Sequence, residues 1–139
     1  KLSALLLEPI VGTTQQVVEL SEEQQILWSK FQRTTPPVIS LADYLARLLH
    51  LLKLDDVVKT AIVRYKRQLY QHVGVQLSEQ CAHRFVLAAV VVASKCLLDH
   101  QYAFTYYARV GGVGTGELTD LEVNLLRLLD WRVFCLDCV

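Results

Sequence analysis

Lys95 is the residue of this chain least easily explained as scaffolding. It lies one helical turn beyond Val91 and Val92, at the end of the apolar run Phe85 to Ala93. An ammonium buried there without a partner is costly, so it must reach water or a carboxylate. Glu122 raises the same question further along, where it shares a helical stripe with Leu126, Leu129 and Val133. Each helix thus carries one charge among apolar neighbours. Two readings follow. Either both groups point into a shared groove, or Lys95 snorkels to solvent and Glu122 is simply exposed. Spacing alone leaves both open.

Other residue patterns with chemical potential are weaker. The glycines from Gly111 to Gly116 suggest a phosphate loop, but that motif needs a preceding strand and, in its Walker form, a terminal Gly-Lys-Ser/Thr. Here a helical pattern precedes the glycines and Glu117 follows, so the segment reads as a flexible link between helices. Asp99-His100 and Asp120 with Glu122 do not combine a nucleophile, a base and an orienting group. Ser94 adjoins Lys95 but in a helical setting, unlike a strained nucleophile elbow. Cys135-x-x-Cys138 is a single pair, and His50, His72, His83 and His100 are too scattered to complete a zinc site. Cys81 and Cys96 sit in a strongly apolar stretch and read as reduced core residues. The expectation is a non-enzyme with no cofactor and no metal.

The elements that position these residues are helices. Residues 1–20 lack sustained periodicity and read as an extended or partly ordered lead-in. Ser21-Glu22-Glu23-Gln24 has the capping-box form and predicts a helix carrying Ile26, Leu27, Trp28 and Phe31, stopped by Thr34-Thr35-Pro36-Pro37. Ser40 caps a second helix with leucines at 41, 45, 48, 49 and 52. Asp55 and Asp56 open a third, which Gly74 closes. A fourth runs from Ser78 and Glu79 to about Leu98, a short fifth from Phe104 to Val110, and a sixth from about Glu117 to Asp130. The fourth is apolar on every face through its middle, which places it at the centre of the fold. The valines at 90–92 suggest a strand, but the surrounding length and the lack of hairpin turns outweigh them.

Composition bounds the function classes. At 139 residues and 53% hydrophobic the chain suits one domain with a real core. Fourteen basic and fourteen acidic residues cancel, which argues against a nucleic-acid partner bound through a broadly basic face. The longest apolar run has nine residues, against roughly 20 for a membrane span, so no membrane partner is expected. Zero net charge with this apolar content suggests a surface that something else covers. The chain opens at Lys1 rather than Met and is read as a fragment.

With those residues in view, the chain resembles the cyclin box, an all-α five-helix fold. The match spans about Thr35 to Val133. Its most specific part is Cys81-Ala82-His83-Arg84-Phe85, then Val92-Ala93-Ser94-Lys95, Asp99, Tyr106-Tyr107-Ala108-Arg109-Val110-Gly111-Gly112-Val113, Glu117-Leu118 and Leu121-Glu122. That combination is similar to the P- or U-type cyclins, the PHO-pathway and PREG-like group, as is Thr35-Pro36-Pro37 before Asp43-Tyr44-Leu45. The expected architecture is a cyclin-box bundle around a central buried helix (residues 35–139), preceded by an extension with one short helix (residues 1–34).

The resemblance implies an activating subunit that binds a cyclin-dependent serine/threonine protein kinase, inside the cell in nucleus, cytoplasm or both. It assigns Lys95 and Glu122 to the central polar pair that holds the kinase's mobile helix and the loop leading into it. Around them, Val92, Cys96, Leu126, Trp131 and Val133 would form the apolar contact, and Asp99 would face the activation segment. The alternative is a cyclin-fold interaction module for a transcription or scaffold partner. Two departures stand out. Tyr65-Lys66-Arg67-Gln68 puts Arg67 where many cyclins have an acidic residue paired to the first box helix, and Leu41-Ala42-Asp43-Tyr44-Leu45-Ala46-Arg47 lacks the pattern by which cell-cycle cyclins dock substrates.

Overall fold

The computed structural model describes residues 2–8, 20–32 and 37–133. Over these the chain forms seven helices: α1 (Leu2–Leu7), α2 (Glu22–Ser29), α3 (Leu41–Leu52), α4 (Asp56–His72), α5 (Ala82–Leu97), α6 (Phe104–Gly111) and α7 (Thr115–Leu128). There is no strand among the described residues. The valines at 90–92 are helical because this part of α5 is fully enclosed, and its burial outweighs the slightly lower helix propensity of β-branched residues.

Capping chemistry sets most boundaries. Ser21 accepts from the Gln24 amide while the Gln24 side chain accepts from the Ser21 amide, a complete capping box. Ser40 and Asp55 accept from the amides of Asp43 and Val58 in the same way. Gly74 ends α4 at φ 82°, a left-handed conformation in which glycine carries no Cβ penalty, and its amide reaches the carbonyls of Leu69 and Tyr70. Two ends differ from expectation. α5 begins at Ala82 rather than near Ser78, because residues 79–81 form a tight turn in which the amides of Cys81 and Ala82 both bond the Ser78 carbonyl. α7 stops at Leu128, and Asp130 and Trp131 take left-handed φ angles of 53° and 60°.

α5 is the axis of the bundle. From Ala82 to Ser94 every residue except Arg84 is buried. α3, α4 and α7 pack on it, α6 bridges α3 and α7, and α2 lies on α7. Each fully buried Val, Leu or Phe contributes about 1.5–3 kcal/mol relative to exposure. Two buried tyrosine hydroxyls reach backbone partners. The Tyr44 hydroxyl donates to the Gly111 carbonyl at 2.7 Å, and the Tyr65 hydroxyl to the Val133 carbonyl at 3.0 Å. Burial, with a smaller push from Cys96, raises the Tyr65 phenol well above its usual range.

The N-terminal lead-in is more regular than the extended or partly ordered segment expected. Leu2–Leu7 is a helix, so the described part of residues 1–34 carries two helices where one was expected. α1 packs on α3 and α4 with Leu6 fully buried. Its carbonyl end is held by Lys66, whose ammonium donates to the carbonyls of Leu5 and Glu8. Six residues are too few for a helix to persist unaided, so this one exists by tertiary contact, which no local periodicity announces. Arg84 does the same service after α2, donating to the carbonyls of Lys30 (3.2 Å) and Gln32 (3.1 Å) while pairing with Glu117 at 3.2 Å. Arg67, the departure noted in the second box helix, is exposed, and the buried cation is its neighbour Lys66. The expected stop at 34–37 lies largely outside the described residues.

Two substitutions test this packing. A Cβ on Gly111 would stand 2.3 Å and 2.6 Å from the two methyls of Leu87, which is fully buried and cannot swing away. Gly111→Ala should therefore cost about 1–3 kcal/mol, seen as a melting midpoint lowered by several degrees. An unchanged midpoint would contradict the close approach of α6 to α5. Lys66→Met leaves the carbonyls of Leu5 and Glu8 without their donor. Hydrogen exchange at the amides of residues 6–8 should accelerate about tenfold or more, with exchange in α5 unaffected.

Candidate functional site

The α5–α7 contact brings the two isolated charges together. Lys95 stands in the last turn of α5, where the helix dipole favours a cation. Glu122 stands on α7 beside the buried stripe of Leu118, Leu121, Leu125 and Leu128. The Lys95 Nζ lies 2.8 Å from Oε2 and 3.0 Å from Oε1 of Glu122, so both carboxylate oxygens meet one ammonium. Glu122 is the more enclosed partner, its side chain 12% exposed against 44% for Lys95. The two charges therefore meet, with Lys95 keeping part of its surface in solvent.

An ion pair with one end this exposed adds only about 0.2–1 kcal/mol to stability. Its value is geometric: it holds a half-exposed ammonium at a fixed place between α5 and α7. Two neighbours complete the setting. Phe104, at the start of α6, lies under the ammonium with its ring centroid 4.8 Å from Nζ. Gln101 donates from Nε2 to the Lys95 carbonyl at 3.3 Å, tying the α5–α6 loop to the end of α5. Neither was singled out as a site residue from the sequence. A ring nine positions after a lysine, in another helix, leaves no periodic trace.

The remaining residues assigned by resemblance fall into two groups. Cys96 and Leu126 are half-buried around the pair, and Asp99 and Trp131 are exposed, Trp131 by 60%. Those four can touch a partner. Val92 and Val133 cannot do so as the chain stands, being only 1% and 3% exposed. Their side chains belong to this chain's own core, and Val133 also supplies the carbonyl that receives Tyr65. They form the floor beneath the rim. The reason is the position of α5: a residue one turn before Lys95 lies on the enclosed part of the helix.

The other chemical candidates resolve into structure. Ser94 is fully buried. The glycine-rich segment is a tight α6–α7 link, with Gly112 as the left-handed cap of α6 and Gly114 preceding α7. Among the described residues no three His, Cys, Asp or Glu side chains gather as a metal site, and no helix is long and apolar enough to cross a membrane. Cys135 and Cys138 lie outside the described residues.

The helical order around this pair and the comparison with known proteins agree. A family model described as Cyclin matches residues 8–133. The chain belongs to the cyclin family. The match takes in α2 as well as the five helices α3–α7, which form the cyclin box around α5. Among its relatives are the Nuc-1 negative regulatory protein preg of Neurospora crassa, 34% identical over 125 residues and covering 85% of this chain and 26% of that protein. Cyclin-U1-1 of Arabidopsis thaliana is 36% identical over 104 residues, 74% of this chain and 50% of its own length. The PHO85 cyclin PHO80 of Saccharomyces cerevisiae is 30% identical over 129 residues, 92% of this chain and 44% of its own length. These are the P/U-type and PHO-type cyclins whose motifs the sequence carries. This cyclin chain spans between a quarter and a half of the length of those relatives.

Cys96 reports on the pair. Burial raises its thiol above the usual value, Glu122 pushes the same way, and Lys95 opposes both. Only thiolate alkylates, so a raised pKa means slow reaction near neutral pH. Glu122→Gln removes a raising charge and should speed iodoacetamide labelling of Cys96 at pH 8. Lys95→Met removes the lowering charge and should slow it. Equal rates in wild type and both variants would place Cys96 beyond the field of the pair.

Proposed function

We propose that this cyclin is a non-catalytic regulatory subunit that binds a cyclin-dependent serine/threonine protein kinase and stabilises its active conformation. The observation that carries the reading is the Lys95–Glu122 pair: an ordered, half-exposed ammonium on the rim between α5 and α7, with exposed Trp131 and Asp99 and half-buried Leu126 and Cys96. In this reading the pair engages the kinase's mobile helix and the loop leading into it. The apolar residues add contact area, and Asp99 faces the activation segment. Val92 and Val133 support that surface from within. Work on an intracellular kinase places the protein in nucleus, cytoplasm or both.

The mechanism is a shift of population. The cyclin binds the kinase with its helix swung in better than the kinase with its helix out, and the differential affinity sets the change. Moving a state from about 1% to 99% requires roughly 5.5 kcal/mol. Burial of apolar surface is of the right kind to supply it, with the charge pair fixing the register of the contact.

The test uses the purified chain with a panel of isolated cyclin-dependent kinase subunits and a generic peptide substrate. Addition should raise phosphorylation by at least one kinase, and Lys95→Glu or Glu122→Lys should weaken its capture about tenfold or more while leaving helicity intact. Binding without activation would favour the scaffold role over kinase regulation. Undiminished capture by both charge reversals would remove the pair from the interface.

A further inference from the structure

Lys95 has more contacts than its ion pair requires. Its ammonium spans both oxygens of Glu122, at 2.8 Å and 3.0 Å, and also sits 4.8 Å from the centroid of the Phe104 ring. A lysine ammonium has three N–H donors and no acceptor. One donates to Glu122 Oε1, and Oε2 lies 2.8 Å away, so the carboxylate occupies at most two of them. An aromatic face attracts a cation through its quadrupole and takes no conventional hydrogen bond in doing so. An amide or hydroxyl at position 104 would instead offer an oxygen and compete for the third donor. A ring there holds the cation and leaves that donor free.

The two partners also differ in stiffness. A lysine stem has among the largest rotamer entropies of any side chain, and Lys95 is half-exposed. Phe104 is partly buried and packs against the core, and the loop before it is tied back by the Gln101 bond to the Lys95 carbonyl. Helices α5, α6 and α7 therefore each contribute one member of a Lys95–Phe104–Glu122 cluster.

We infer that Phe104 is a positioning residue: its ring pins the Lys95 ammonium beside Glu122 while keeping the third N–H for a hydrogen-bond acceptor on the kinase. This rests on the kinase-facing role proposed above for Lys95. Phe104→Leu keeps apolar bulk without the quadrupole, and Phe104→Trp keeps a ring. In the free chain, a pulse of acetic anhydride read by mass spectrometry, with Lys53 as internal reference, measures how firmly the Lys95 amine is held. Phe104→Leu should speed Lys95 acetylation about three- to tenfold, and dissociation from the activated kinase by a similar factor. Phe104→Trp should restore both, with melting midpoints alike for the two variants.

Unchanged acetylation in Phe104→Leu, or failure of Phe104→Trp to rescue, overturns the positioning role. Faster acetylation with unchanged dissociation overturns the reservation of the third N–H for the partner. Lys95→Met separates this inference from the one beneath it. If that variant binds the kinase like wild type, the proposed interface fails, and acetylation of the free chain still decides whether Phe104 holds Lys95. If it weakens binding while Phe104→Leu changes neither rate, only the positioning role fails.

Discussion

From Phe85 to Ala93 helix α5 has no polar face, and a helix of that kind is stable in water only when enclosed on all sides. The rest of the cyclin box follows from that constraint. α3, α4 and α7 surround α5, and the site appears where the enclosure ends, at Lys95. One turn inward Val92 is sealed, and one turn outward Asp99 is in water. The proposed kinase-facing rim is thus the boundary of the core, and its charge pair stands where the core helix emerges.

Three cations stand at or just after three helix ends. A helix leaves its final carbonyls unpaired and carries a partial negative charge there. Lys66 satisfies the end of α1, Arg84 the turn after α2, and Lys95 stands in the last turn of α5. The first two are spent on structure, tying the N-terminal helices to the box. Burial lowers the Lys66 pKa while Glu8 opposes that shift, as expected for a cation kept inside by specific partners. Lys95 differs because its partner is a side chain on another helix and part of its surface stays open.

Legibility followed the range of the interaction concerned. The caps at Ser21, Ser40 and Asp55, the stop at Gly74 and the central position of α5 depend on neighbours within a few residues or on composition, and each was readable. α1 was not, because its stability comes from Lys66 about 60 positions away. The start of α5 was misplaced by a turn at 79–81 whose hydrogen bonds imitate helical ones. At the site, the two charges stood out as the wrong chemistry among apolar neighbours. Val92 and Val133 were assigned to the surface by resemblance but lie in the core, since residue type does not distinguish an apolar floor from an apolar rim.

By itself, then, the sequence determined an all-helical cyclin box around one enclosed helix, with Lys95 and Glu122 as the residues to explain. Periodicity and capping are local, and a misplaced charge is visible wherever it occurs. Tertiary structure decided that the two charges meet, that Phe104 lies under one of them, and which apolar neighbours remain exposed. Those outcomes depend on the relative placement of α5, α6 and α7, and side-chain contacts between separate helices have no signature in the spacing along any one of them.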